Sequence, residues 1–207
     1  MIMIIIVSSK TYVGFVMKVF FTIFLLAFVL SFHLKADEVY KIDSEHSFAN
    51  WKIRHIVSKT SGTIPDIQGE IVINKNDLQQ SKINATLNLL SIDSSHPKRD
   101  AHIQEEKFLD TASFALIRFE STKVVSADNK TGTIFGTLSM HGVSKEINFP
   151  FEILGFGEDP WGGYRIGVEG KTQIKASDYG YTWGLKENAS LGNDIEINLL
   201  IEGILQK

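Results

Sequence analysis

The chain has 207 residues, no cysteine, and 24 acidic against 21 basic side chains, a formal net charge of −3. Without cysteine there is no disulfide, no thiol nucleophile and no thiolate metal site, so an apolar core alone must hold the fold. An acidic excess lacks the basic stripe that a phosphate backbone requires, which argues against nucleic acid as a partner.

The first predicted element is a leader. Met17-Lys18 precedes "VFFTIFLLAFVLSF", one positive charge leading into an apolar run of signal-peptide length. The stretch turns polar at "HLKADEVYKID", with Ala36 as the expected last residue before cleavage and Leu34 an imperfect residue two positions earlier. "MIMIIIVSSKTYVGFV" reads as lying upstream of the true initiator, Met17. The rival reading is an uncleaved anchor, because Thr11 to Leu34 approaches spanning length. Residues 1–36 hold Lys10, Lys18 and Lys35 and no acid, so the expected exported part, 37–207, is more acidic still. It is long enough for one domain with a sizeable core.

The exported part reads as β almost throughout. Alternating or β-rich runs are predicted near 38–43, 46–56, 67–74, 81–92, 115–125, 131–141 and 163–176. "KEINFPFEI" places Ile147, Phe149, Phe151 and Ile153 on one face, and "NDIEINLLIEGI" does the same with Ile195, Ile197, Leu199 and Ile201. Period-two alternation means one wet and one dry face. The turn signals "SADNKTG", "HGVSKE", "GFGEDPWGG" and "ASLGND" separate consecutive antiparallel strands, so an all-β barrel or sandwich is expected. The clear helical candidate is "SSHPKRDAHIQEEKFLD", Ser94 to Asp110, where Pro97 suits a first helical turn and Ile103 with Phe108 gives a weak apolar face. Large rings (Trp51, Phe119, Phe149, Phe151) share inward faces with small residues (Ala49, Ala85, Gly136, Gly170). In a closed barrel of about eight strands such a mixture suits either a filled interior or a ligand cavity.

Three constellations invite a chemical reading. In the helical segment His96 and His102 stand six apart, on opposite sides of a helix, which is not the spacing of a zinc pair. Arg99-Asp100 instead suits a charge-assisted helix start, with a polar rim to a cavity as the second reading. "SHPK" and "KTG" mimic two of the three motifs of penicillin-recognising serine enzymes, but the third, SDN, is absent. "DSEHSFANWKIRH" carries His46 and His55; His55 shares a face with Ala49, Trp51 and Ile53 and reads first as a hydrogen-bonded core histidine, second as a group meeting a polar head.

Six strings occur in order: "YKIDSEHSFANWKIRH", "SID" with "RDAHIQEEKFLD", "IRFEST", "GTLSMHGVSKEINFPFE", "SDYG" and "LGNDIEINLLIEG". Together, over residues 38–204, they resemble the YceI-like family of exported lipid-binding proteins. The resemblance implies an antiparallel lipocalin-like β-barrel with a short helical crossover, a long apolar cavity for a polyisoprenoid or related amphiphile, a periplasmic location, and neither a catalytic nor a metal centre. The chain departs from the family at Ser94, where Thr is usual, at His96-Pro97, and at Ala176, where Arg commonly precedes the "SDFG" that is "SDYG" here.

On this reading the lipid lies against the inward faces of the strands. The expected lining is Ala49, Trp51 and Ile53 in the second run, Leu87 and Leu89 in the fourth, and Ile117 and Phe119 in the fifth. Leu138, Phe149, Phe151 and Ile174 complete it, with His55, Ser91 and Ser121 as polar candidates on the same faces. No cofactor is expected beyond the bound isoprenoid or other long-chain lipid, of quinone or polyprenyl phosphate type. A transient membrane-protein donor or acceptor and a homodimer are compatible with it. Two rival functions are a hydrolase or isomerase acting on a lipid-like substrate with His55 or His46 as base, and a ligand-free, stress-related interaction protein with a filled barrel.

Overall fold

The computed structural model describes residues 37–207; the leader reading of residues 1–36 lies outside the described residues. Ten strands follow in chain order: β1 (Glu38–Ile42), β2 (Phe48–His55), β3 (Ser58–Ile64), β4 (Ile67–Ile73), β5 (Lys82–Asn88), β6 (Leu116–Ser126), β7 (Thr131–Met140), β8 (Val143–Glu158), β9 (Tyr164–Lys175) and β10 (Leu191–Leu205). One α-helix, α1 (Pro97–Ile103), lies between β5 and β6.

The ten strands occupy eight positions of a closed antiparallel barrel. β1 and β2 lie end to end along one edge of β10, with Tyr40 opposite Leu205 and His55 opposite Leu191. β3 and β4 repeat the arrangement against β2 and β1. Each composite strand is broken at a corner: Asp43–Ser47 in the first, and Pro65-Asp66 in the second, where proline removes a ladder donor. From β4 the sheet runs through β5, β6, β7, β8 and β9 to β10, and the β1–β10 pairing closes it. Closure removes the open edges that would otherwise template association, save the outer edge of β3.

The break in the composite strand positions the site. β5 pairs with β4 over Ile67 to Val72 but not with β3, whose far edge is held only by the bridge between Thr63 and Asp93. Residues 89–115, including α1, cross at this gap. The opposite end of the barrel is filled. There Tyr40, Ile166 and Val124 are buried, and Leu78 inserts from a 3-10 turn (Leu78–Gln80) whose Asp77 accepts from Gln79 N at 3.1 Å.

Aromatic rings in the wall lie over glycines of neighbouring strands. A β-carbon on Gly136 would sit 2.6 Å from Phe119 Cζ, and one on Gly132 would sit 2.8 Å from Phe151 Cε1. The bare backbone lets each ring fold flat against the sheet, so large residues thicken the wall without plugging the centre.

Three sequence expectations change. "SKTSGTI" is strand β3, although it carries no apolar alternation. The predicted run 81–92 ends at Asn88, and Leu89–Ser91 forms a 3-10 turn, so Ser91 does not follow the inward alternation; its Oγ donates to Asn88 O (2.7 Å) and accepts from Asp66 N (3.2 Å). A register irregularity between Ser121 and Lys123 breaks the alternation in β6, and Ser121 Oγ accepts from Ile83 N at 2.8 Å. Both serines satisfy backbone, and neither borders the cavity.

Candidate functional site: an apolar bore with a polar-lipped vestibule

Inward side chains from every barrel position surround a bore of about 160 Å³. Its wall is Ile, Leu, Phe and Val almost throughout, with Ser81 and Thr172 as its hydroxyl-bearing members. Ser81 Oγ already accepts from Asn74 N (3.1 Å), so it offers the bore little polarity. An apolar cavity of ~150 Å³ stays dry and accepts one benzene-sized guest. The bore therefore has room for the end of a hydrocarbon chain and too little for a whole lipid.

The bore continues outward. Trp51, Ile64, Ile117, Met140, Ile174 and Ile197 border both it and a vestibule of about 790 Å³. That volume falls in the ordinary range of ligand pockets, roughly 300–1,000 Å³. The vestibule lies at the gap beside β3. Leu89, Ile92, Ile103, Phe108 and Leu109 of the crossing segment form one wall, and Ile53, Ile195 and Trp183 face it. Its lip is polar: three basic side chains, Lys59 (paired with Glu196), Lys98 and Arg99, three histidines (His55, His96 and His102), and one acid, Glu105.

Of the expected lining residues, Ala49, Leu87, Phe119, Leu138, Phe149 and Phe151 border the bore. Trp51, Ile117 and Ile174 stand where bore and vestibule meet, and Ile53, His55 and Leu89 border the vestibule alone. Sequence reasoning missed the lip cations Lys59 and Lys98 and the wall residues Phe108, Leu109 and Trp183. The weak apolar face of Ile103 and Phe108 was the available signal for the crossing segment. Trp183, in the Gly- and Asn-rich stretch before β10, carries no periodicity.

The crossing segment is held by its own polar groups. His96 caps α1 through Nδ1, which accepts from Arg99 N at 3.3 Å, and Pro97 occupies the first turn. The Asp100 carboxylate accepts from Ser94 N (2.9 Å) and from Ser94 Oγ. Arg99 donates from Nε to Ser94 Oγ (2.7 Å) and from Nη2 to Ser94 O. His102 pairs with Glu105 at 3.0 Å, and Lys107 and His102 together hold the Glu105 carboxyl below its usual range. These charges build the element and leave Lys98 as a lip cation with no ion pair among the described residues. The "KTG" string, at Lys130 to Gly132, lies at the start of β7, at the opposite end of the barrel from "SHPK".

Behind Trp183 runs a ladder of rings. Phe108 lies 6.0 Å from Trp183, which stacks on Tyr181 at 4.4 Å, and Tyr181 stacks on His141 at 4.4 Å. Phe114 closes the ladder against His141 at 4.6 Å. His141 has φ 52° and Gly142 φ 73°, the positive pair that a two-residue hairpin turn needs, and His141 Nδ1 meets Tyr179 O at 2.8 Å. Burial raises the Tyr181 phenol, so it stays neutral. Ala176 is fully buried beneath this stretch and brings no charge to the lip.

The two candidate bases lie at opposite ends. His55 is on the vestibule lip, whereas His46 bonds Asp43 (2.8 Å) at the filled end. They cannot serve one substrate. Asp43, His46 and Glu202 come within 4.8 Å of one another, the arrangement of a cation site. Arg165 already supplies that cation: Nη1 reaches Asp43 (2.6 Å) and Glu202 (2.5 Å), and Nε reaches Asp159 (2.8 Å). Burial works against ionisation of Asp43, but its bonds to Arg165 and His46 hold the carboxyl below its usual range.

Comparison with known proteins gives a consistent result. The family model described as YceI-like domain matches residues 40–203. A UPF0312 protein of Ectopseudomonas mendocina is 37% identical over 174 residues, covering 84% of this chain and 90% of that protein. BcnA of Burkholderia cenocepacia superposes with a TM-score of 0.70 at 15% identity, covering 78% of this chain and 98% of that one. A polyisoprenoid binding domain from Saccharophagus degradans superposes with a TM-score of 0.63 at 16% identity, covering 81% and 98%.

Proposed function

This chain belongs to the YceI-like domain family, and on that premise we propose that it binds and carries a long-chain amphiphilic lipid of the polyisoprenoid class. The tail enters the bore, the body lies through the neck at Trp51 and Ile174, and the head rests among the cations of the vestibule lip. Carriage in the periplasm accords with the expected leader.

The observation that carries this reading is the continuity of a dry, hydrocarbon-walled bore with a wider vestibule whose lip is polar. Burying apolar surface is worth about 25 cal/mol per Å², so each isoprene unit drawn from water into such a wall adds affinity. A few polar groups at the mouth then orient the guest, the usual division of labour in a ligand pocket. Lys59 is already paired with Glu196, but Lys98, which has no ion pair among the described residues, and Arg99 favour an anionic head, a phosphate or carboxylate, over a neutral one.

A binding barrel also fits better than a histidine-base enzyme. His46 is spent on the Arg165 cluster, and no acid is paired with His55 among the described residues. The test is uptake of a pyrene-labelled fatty acid by purified protein, with displacement by a polyprenyl phosphate. Saturable uptake with stoichiometric displacement supports the reading, and no saturable uptake contradicts it.

A further inference from the structure

The turn joining β2 to β3 is chemically unusual. A two-residue hairpin favours glycine or asparagine where φ is positive, yet here the pair is Ile56-Val57, with Ile56 at φ 50°. A β-branched residue in that region is strained. The strained turn presents both side chains to solvent: Ile56 is 59% exposed and Val57 is 95% exposed. The loop before β10 presents Leu185, also 59% exposed, followed by the exposed pair Lys186 and Glu187, whose charges offset.

These two tips are braced against each other. Ile56 N donates to Ser190 O at 2.7 Å. Arg54 donates from Nη1 to Ile56 O (3.2 Å) and from Nη2 to Ala189 O and Leu191 O (both 2.9 Å). The guanidinium thus spends its donors on neutral carbonyls and keeps its full positive charge. The turn itself reads Arg54-His55-Ile56-Val57-Ser58-Lys59, an apolar pair between basic groups, of which Lys59 is paired with Glu196 of β10. His55, Lys59, Ser190 and Leu191 border the vestibule, so the tips stand at its lip.

We infer that this lip is a membrane-docking surface: Ile56, Val57 and Leu185 enter the apolar boundary of an anionic bilayer, Lys98 meets its headgroup phosphates, and the charge of Arg54 attracts them without a direct bond. Exposed apolar side chains on a rigid element, flanked by cations, are what an interfacial anchor requires. The surface charge of an anionic leaflet supplies the complement. Trp161, 83% exposed, makes a control, because it is a large exposed apolar side chain that does not border the vestibule. Docking in this orientation sets the vestibule against the leaflet, so a lipid passes between bilayer and bore without crossing water. This inference rests on the carrier reading above for its purpose, but not for its test.

The experiment is flotation of the purified exported chain with vesicles of phosphatidylcholine alone or of equal parts phosphatidylcholine and phosphatidylglycerol. Binding to the mixed vesicles is expected, weakening with salt, and Val57→Asp and Leu185→Asp should each weaken it about tenfold. Trp161→Asp should leave it unchanged. Unfolding temperatures of the variants, expected unchanged at these exposed positions, separate docking from folding. No preference for the anionic vesicles, or equal binding by Val57→Asp, overturns the inference and leaves the tip to a protein partner. Uptake of the pyrene-labelled fatty acid from detergent separates the two claims. Val57→Asp should retain it, and if wild type takes up no probe yet still docks through Val57, the carrier reading fails while docking stands.

Discussion

The indole of Trp51 lies over the bare α-carbon of Gly62, its partner across β2 and β3; a β-carbon on Gly62 would stand 2.6 Å from Trp51 Cζ2 and 2.4 Å from Asp93 O. Trp51 borders both bore and vestibule, so Gly62 sets where the neck's largest ring rests. Gly62→Ala should push that ring toward the cavity or the strand away from Asp93. Overpacking of this kind costs roughly 1–3 kcal/mol. Thermal unfolding should show the loss, and probe uptake should fall with it.

Filling the bore should separate holding a ligand from holding a fold. Ala85 borders the bore opposite Gly69. Ala85→Leu adds apolar volume where there is space, so stability should hold to within about 1.5 kcal/mol. Uptake of the pyrene-labelled fatty acid should fall about tenfold, the equivalent of roughly 1.4 kcal/mol. Unchanged uptake would place the tail outside the bore.

The crossing segment should prove structural in its charges. Asp100 gathers Ser94 N and Ser94 Oγ, and Arg99 binds the same serine. Asp100→Ala leaves these donors unpaired, at a cost of about 1–3 kcal/mol. Denaturant titration should register it. Ligand affinity of the folded fraction should change little, because the carboxylate faces Ser94 and not the vestibule.

The Arg165 cluster should make stability depend on pH in one direction. Hydrogen bonds to Arg165, more than any other influence, hold the Asp159 carboxyl below its usual range, and Asp43 is likewise lowered despite its burial. A depressed carboxylate contributes stability above its unfolded pKa, near 4, and that contribution is lost as pH falls through the folded value. Unfolding temperature should therefore drop as pH falls below about 4. Arg165→Met should lower it at neutral pH and flatten that acid limb.

Much of the barrel was legible because its strands have one dry face. Ile147, Phe149, Phe151 and Ile153 alternate without interruption, and the structure turns all four into the bore and leaves Glu152 half-buried on the other side. Pro97 announced α1 correctly because its fixed φ and missing donor suit only a first turn. What stayed hidden has a common cause. β3 borders the barrel opening, where "SKTSG" needs no apolar face, and the vestibule is built from side chains that meet only in three dimensions: Phe108 from the crossing segment, Trp183 from a loop, Lys59 from β3. Ser121 misled because an irregularity in β6 shifts the alternation, a feature that pairing creates and composition does not display. The exposed Ile56-Val57 turn falls at the end of the predicted run 46–56, and only its φ and exposure mark it as a tip.

We propose a bore occupied by a hydrocarbon chain. Native mass spectrometry of the protein purified from its own host, followed by identification of the released lipid, tests it most directly. One long-chain amphiphile per barrel, bearing an acidic head and displaced in Ala85→Leu, is the predicted result. A protein of unliganded mass in repeated preparations, unable to take up added polyprenyl phosphate, would contradict it.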